Sequence, residues 1–289
     1  MDFYLAAIIQ GLGYASLGLG IYITLKIFNI PDITTDGSYT LGGAVTAVLL
    51  SSNINPFFVA CVAMFAGACA GIATGIIHTR LKVHALLAGI LVMTALYSIN
   101  LLIMDRPNIP LIGIRNIFSM VNFSDVTQTN QLIVFVLIIS IIAAIIIWLL
   151  KTDFGIAMRA TGNSETMVRA MGVNTTAMKI TGLAIANALT AFSGFLITQY
   201  QGFADVNMGI GIVISGLGAV IIGESVMRIF KTNSILLNVV GVIAGTILFR
   251  VLLAVALSLG MPPNMLKLVT SLIVLLVVGI LKFSNKEKS

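Results

Sequence analysis

Residues 151–179 read KTDFGIAMRATGNSETMVRAMGVNTTAMK, the longest polar interval in the second half of a chain that is otherwise almost entirely apolar. Lys151, Arg159, Arg169 and Lys179 supply positive charge there, and Asp153 and Glu165 negative charge. The pattern predicts a short helix with its own start and stop. Ser164 is a good N-cap, Glu165 puts negative charge in the first turn, and Gly172 stands where a helix ends by turning left-handed. Met167, Val168 and Met171 give that helix a small apolar face. Methionines on a short loop helix suit a grip by another protein, because an unbranched thioether adapts to an irregular groove.

Outward from this stretch the composition changes abruptly. The 289 residues are 58% hydrophobic and 9% charged, with a mean hydropathy of +1.09. A soluble domain carries about a quarter charged residues, so the solvent for this surplus is a bilayer. Cys61 and Cys69 share one apolar run, which predicts buried inert thiols rather than a disulfide. The net charge of +6 is spread between apolar spans; that suits orientation in a membrane and argues against a nucleic-acid partner. The first apolar run is too long for a cleavable signal peptide and lacks a basic leader.

Intervals free of Asp, Glu, Lys and Arg give the spans: 3–25, two helices within 37–79 broken at 51–56, 83–104, 126–150, 180–204, 206–223, 232–249 continuing past Arg250, and 264–281. About 20 apolar residues cross the hydrocarbon as a helix, which fits roughly nine spans. With 151–179 inside, twelve of the 16 basic residues fall on the cytoplasmic side, leaving Arg106, Arg115, Arg250 and Lys267 outside. This positive-inside bias puts the N-terminus outside and the C-terminus in the cytoplasm. Four spans precede the one at 126–150 and four follow the polar loop, so the two four-helix units are inverted about a central span. The expected organisation is one all-α polytopic domain over 1–289. It comprises a first repeat (1–104), a linking span (126–150), a coupling region (151–179) and a second repeat (180–283).

Few polar groups interrupt the spans. Asn187, among the alanines of span six, either lines a path or bonds a neighbouring helix. Glycines in 36–43 and 208–218 either allow unwound turns that expose backbone to a passing solute or permit tight packing. The stripe Gly67, Gly71, Gly75 favours close packing within the subunit over a dimer interface. Arg250, well inside an apolar run, either snorkels to the headgroups or pairs with an acid or a substrate carboxylate. His78 and His84 flank Arg80 and Lys82 in a solvated turn, and with no third ligand nearby no metal site is expected. Catalytic signatures and a phosphate-binding loop are missing. A pump without its own ATP site or a midplane relay of carboxylates must take its energy from a partner.

The run T152-D-F-G155, R159-A-T-G162-N163-S-E165, A170-M-G172-V-N-T and K179 resembles permeases of bacterial ABC importers of the branched-chain amino acid and ribose type. YASLGLGIYITLKIFNIPDITTDGSYTLGGAVTA near the start and the later MGIGIVISGLGAVIIGES fit the same family, so the resemblance covers nearly the whole chain. It implies a type II-like importer fold and a bacterial cytoplasmic membrane setting. The expected partners are an ABC ATPase that binds ATP and Mg²⁺, an extracellular solute-binding lipoprotein and a second copy of the chain. No cofactor is expected in this chain itself. By position, Gly162, Asn163, Glu165, Arg169, Met171 and Gly172 correspond to the ATPase-coupling region. Asp36, Ser38, Tyr39, Gly42 and Gly43 correspond to a broken helix near the path, with Asn187, Gly209 and Gly211 as further path candidates. Asp105, Asp125 and Asp205, placed outside, are candidates for docking the binding protein. One departure is that Gly172 lies seven residues after Glu165, where the common permease signature has six. The apparent lack of an extra N-terminal span puts the chain nearer the amino-acid-type members, and among those it most resembles permeases paired with lipoproteins for tyrosine or tryptophan. A nucleoside, sugar or other nutrient is the alternative solute. An ion-coupled carrier or a membrane scaffold is the alternative of another class.

Overall fold

The computed structural model describes residues 2–121, 123–124, 126–228, 234–262 and 265–286. In chain order α1 (Asp2–Ile21) continues into a π-helical segment (Tyr22–Ile27), then come α2 (Thr34–Ser51), α3 (Pro56–Thr79), α4 (Ala85–Met104), β1 (Asn108–Pro110) and α5 (Ile117–Met120). The second half holds α6 (Thr127–Lys151), α7 (Asp153–Asn163), α8 (Glu165–Ala170), α9 (Thr175–Gln201), β2 (Phe203–Asp205), α10 (Ile212–Arg228), α11 (Ile235–Ser258) and α12 (Leu266–Lys286). A helix therefore occupies each interval expected to hold a span. By length and composition six are fit to cross a membrane: α1 with its π segment, α3, α4, α6, α9 and α11. Shorter apolar stretches lie in α10 and α12, and α2, rich in threonine and glycine, joins neither group.

The boundaries follow local chemistry. Asn55 accepts from the Phe57 amide and Pro56 opens α3; Asn174 and Ser234 cap α9 and α11 in the same way. Such caps satisfy amides that a helix start leaves without partners. Gly202, at φ 77°, closes α9. The structure departs from a wholly α expectation at one place: β1 pairs antiparallel with β2, Asn108 opposite Asp205. Two loops that meet at one end of the bundle use each other to satisfy backbone groups.

α1 and α9 form the buried centre. Their apolar windows are 78% and 83% buried, against 22% for α6. Ser16 donates to the Leu189 carbonyl at 2.7 Å and Ser193 to the Gly13 carbonyl at 2.8 Å, tying the two central helices together. α2 and α3 pack on α9, α4 on α2, α11 on α1 and α10, and α12 on α10. The glycine stripe serves packing within the chain. A Cβ at Gly71 would collide with the Leu183 carbonyl, and one at Gly75 would lie 2.9 Å from Ile180 Cα, both on α9. Gly245 meets α10 at Ala219 and Gly223 in the same manner. Cys61 and Cys69 are free thiols on the exposed side of α3, which corrects the expectation of burial. The stripe that turns α3 towards α9 directs the opposite face outward.

Candidate functional site

The coupling stretch folds as two short helices rather than one. Thr152 opens α7, its hydroxyl accepting from the Gly155 amide at 3.3 Å. α8 begins after Ser164, but Ser164 makes no side-chain cap bond, which corrects its expected role. Gly172 does adopt the left-handed conformation, at φ 85°. Val168 is 5% exposed, while Met167 and Met171 are 64% and 72% exposed. The expected apolar face is thus divided: valine anchors the helix and the methionines are presented outward.

Glu165 faces inward to its own chain. One carboxylate oxygen accepts from Arg169 at 2.7 Å and from Thr175 at 3.2 Å, the other from Lys179 at 2.5 Å. The Lys179 hydrogen bond, aided by charge attraction from Lys179 and Arg169 and by the Thr175 hydroxyl, holds the carboxyl below its ordinary range against the opposing effect of partial burial. These contacts fasten α8 to the first turns of α9. Asn163 is exposed at the end of α7. Gly162 lets α7 approach the Ile27 carbonyl, where a Cβ would collide. At this same end Lys26 of the π segment forms an ion pair with Glu224 of α10. Both short helices thus rest on α9, and α7 also packs on α6 and touches the continuation of α1.

The residues expected along a path meet near the centre, though most are occupied. α2 is continuous from Thr34, so it is not unwound at Gly37–Gly43. Its glycines serve close approach: Gly42 to the Ala191 carbonyl of α9, and Gly43 to Met208 and Thr198. Ser38 donates to Asn187 Oδ1 at 2.7 Å, and Asn187 donates to Asp32 Oδ2 at 2.8 Å. Asn187 is fully buried in this network, so here it bonds neighbouring elements. Asp36 crosses to the second half, its oxygens accepting from the Gly211 and Val213 amides, each at 2.8 Å. A carboxylate on the first amides of α10 satisfies donors and complements the helix dipole. The chain before α10 is unwound, with turns over 206–211; Gly211 has φ 82°, while Gly209 serves close packing against the Asp36 carbonyl, so both roles weighed for these glycines occur.

Beside this crossing a cleft of about 230 Å³ is lined by Tyr14, Ser215, Arg250, Lys267, Thr270 and Ser271 together with Met208, Ile210, Gly211, Ile212 and Ile214. Arg250 lies with its guanidinium carbon 3.6 Å from the centre of the Tyr14 ring. Tyr14 in turn stacks on Tyr39, whose hydroxyl donates to the Tyr14 hydroxyl at 3.2 Å. A second, much smaller cavity of about 10 Å³ shares Tyr14, Ser215 and Arg250 and continues along Leu17, Gly216, Ala219, Thr246 and Phe249. Sequence reading missed Tyr14 and Lys267 here; the signals it had were the glycines of 208–218 and the charge of Arg250 inside an apolar run.

At the end opposite α8, Asp205 accepts from Asn108 Nδ2 at 3.3 Å and from the Asn207 amide at 2.8 Å. Asp105 is exposed and ends α4 in a left-handed conformation, at φ 56°. The ribbon thus brings Asp105 and Asp205 to one end, while Asp125 lies outside the described residues. Asn130, buried at the top of α6, donates to the Phe118 and Val121 carbonyls and pins the intervening loop.

Comparison with known proteins accords with this architecture. A tyrosine transport system permease protein of Clostridioides difficile is 37% identical over 99% of this chain and 95% of its own length. A ribose import permease of Haemophilus influenzae is 25% identical over 72% of this chain and 64% of its own. Among solved structures, an inward-facing metal-chelate type ABC transporter superposes with a TM-score of 0.52 over 98% of this chain and 85% of its own, at 12% identity, a likeness of fold alone. Residues 3–278 match the family described as branched-chain amino acid transport system / permease component. The chain therefore belongs to that family of ABC transporter permeases.

Proposed function

We propose that this chain is the membrane-spanning permease of an ATP-driven importer, taking up an amino acid, with an aromatic one favoured by the likeness to a tyrosine permease. The observation that carries the reading is α8, a six-residue helix clamped to α9 through Glu165 while it presents Met167 and Met171 to the outside. A rigid support under an exposed adaptable face is what a mechanical handle requires. In this scheme a separate ATPase chain binds ATP and Mg²⁺, closes, and displaces α7 and α8. The displacement enters α9 through Glu165 and α1 through the Gly162–Ile27 contact. Those are the two central helices, so a movement at one end reorients the path at the other.

Nine spans, an outside N-terminus and two inverted units around α6 complete the proposal for a bacterial cytoplasmic membrane. Exchange of contacts between the halves supports the repeat: α3 packs on α9 as α11 packs on α1, and α4 on α2 as α12 on α10. Such exchange is what a pseudo-two-fold axis in the membrane plane produces. A solute-binding lipoprotein docks at the β1–β2 end through Asp105, Asp125 and Asp205, and two copies of the chain enclose the path. The test is to express the chain with candidate ATPase and lipoprotein subunits, purify it, and assay amino-acid uptake in proteoliposomes. ATP-dependent accumulation that needs all three supports the reading; accumulation by this chain alone overturns it.

A further inference from the structure

The geometry points to a carboxylate-binding subsite at Arg250 and Lys267, in the cleft among α1, α10, α11 and α12, that receives an amino-acid solute from the β1–β2 end. This rests on the import reading above and adds the chemistry by which the path recognises its cargo.

Arg250 sits eight residues before the end of α11, in an otherwise apolar run. A guanidinium at such a place is costly unless something compensates it. The ion pairs among the described residues are Lys26–Glu224, Arg169–Glu165 and Lys179–Glu165, so none of the described carboxylates pairs with it. None of its N–H groups finds a hydrogen-bond acceptor among those residues. Its compensation is the face of Tyr14 at 3.6 Å, a contact that leaves the edges of the planar fork unspent. Lys267 lines the same cleft, with hydroxyls from Ser215, Thr270 and Ser271. Asp36 lies within electrostatic reach of Lys267, but its oxygens already accept from the Gly211 and Val213 amides.

The cations Arg250 and Lys267, with the hydroxyls of Ser215, Thr270 and Ser271, around a space of about 230 Å³ fit a small anion better than a sugar. A guanidinium fork matches a carboxylate in bidentate fashion, and the ammonium adds an unspecific point charge. Arg250 also borders the second, water-sized cavity, so it stands at the inner wall of the cleft. Stacking on Tyr14, itself stacked on Tyr39, holds the guanidinium there before any solute arrives.

Thiol labelling of the full chain tests the subsite. Ser271→Cys is introduced after Cys61→Ala and Cys69→Ala, and labelling rates are compared for anionic sulfonatoethyl and cationic trimethylammonioethyl methanethiosulfonate. The anionic reagent is expected to be favoured roughly fivefold by the local positive potential. L-tyrosine should slow labelling, whereas tyramine, which lacks the carboxylate, should not. Arg250→Gln should abolish both the charge preference and the protection, and Arg250→Lys should keep the preference. No charge preference, or equal protection by tyrosine and tyramine, overturns the subsite; so does an Arg250 anchored only to lipid headgroups, which gives no protection. If Arg250→Gln does not fold, the tyrosine–tyramine contrast in the parent chain decides alone. Uptake separates the two proposals: ATP-driven tyrosine import undiminished by Arg250→Gln sinks only the subsite. Carboxylate-dependent protection without any import sinks only the import reading.

Discussion

Glu165 shows how a residue chosen for charge at a helix start acts through its own chain. Its carboxylate ties Arg169, Thr175 and Lys179 together, so Glu165→Gln should loosen α8 from α9 without unfolding the protein. Exposed ion pairs contribute at most about 1 kcal/mol, so the thermal midpoint should barely move. The expected result is instead uncoupling: ATP hydrolysis by the assembled importer continues while uptake falls roughly tenfold, as removal of a positioning contact can do. The pH dependence has a definite sign. Because the folded carboxyl titrates below its ordinary value, its contribution is complete above the ordinary carboxylate range and is lost only as pH falls through the lowered value. Amide protection factors in α8, corrected for the intrinsic pH dependence of exchange, should therefore be unchanged between neutral and mildly acidic pH and fall only below the ordinary carboxylate range. Gly172 is constrained by conformation, not space: nothing lies within 4 Å of a Cβ there, yet φ is 85°. Gly172→Asn should be tolerated, whereas Gly172→Val should cost about 1–2 kcal/mol locally and fray α8, as read by exchange of the 165–172 amides.

At the scale of the helix, small residues decide which faces meet. Gly71→Leu would push α3 off the Leu183 carbonyl of α9, where backbone cannot yield as a flexible side chain would. Overpacking of this kind typically costs 1–3 kcal/mol, on the order of what unfolds a marginal membrane protein in detergent. Size-exclusion profiles after heating should show early aggregation, and a heat-stable, fully active variant would make the stripe incidental. The Lys26–Glu224 pair joins the continuation of α1 to α10 at the end where the cleft does not open. Lys26→Met should ease separation of those helices, raising uncoupled ATP hydrolysis about two- to fivefold, since a few tenths to about 1 kcal/mol of gating bias converts to such factors. An unchanged ratio of hydrolysis to uptake would remove that closing role.

For the whole molecule, the buried axis of α1 and α9 runs from the end carrying α8, the proposed handle, to the end carrying the β1–β2 ribbon. A 27-residue helix such as α9 spans about 40 Å, a full membrane thickness. Orientation is tested by labelling Gly172→Cys and Asn108→Cys in intact cells with an impermeant maleimide, in the background lacking native cysteines. Asn108→Cys should react from outside and Gly172→Cys only after permeabilisation; the reverse would invert the importer reading. Charge reversal at Asp105 and Asp205 together should weaken capture of the binding protein several-fold, on the scale of rim charges that steer association, and unchanged capture would move the docking surface elsewhere.

Composition and charge spacing by themselves established a membrane-embedded helical chain, the places of its long helices and a polar interval between two apolar halves. Those properties depend on local hydropathy and on caps such as Asn174 and Gly202, which act within a few residues of where they are written. Tertiary structure alone decided what the scattered polar groups do. Asp36 became the cap of α10, Asn187 a bonded neighbour of Asp32 and Ser38, and Arg250 the partner of Tyr14, across separations of 175, 155, 149 and 236 residues. The physical reason is that a polar group in an apolar medium must find a partner somewhere, and which partner it finds is fixed by how the helices cross rather than by its neighbours in the chain.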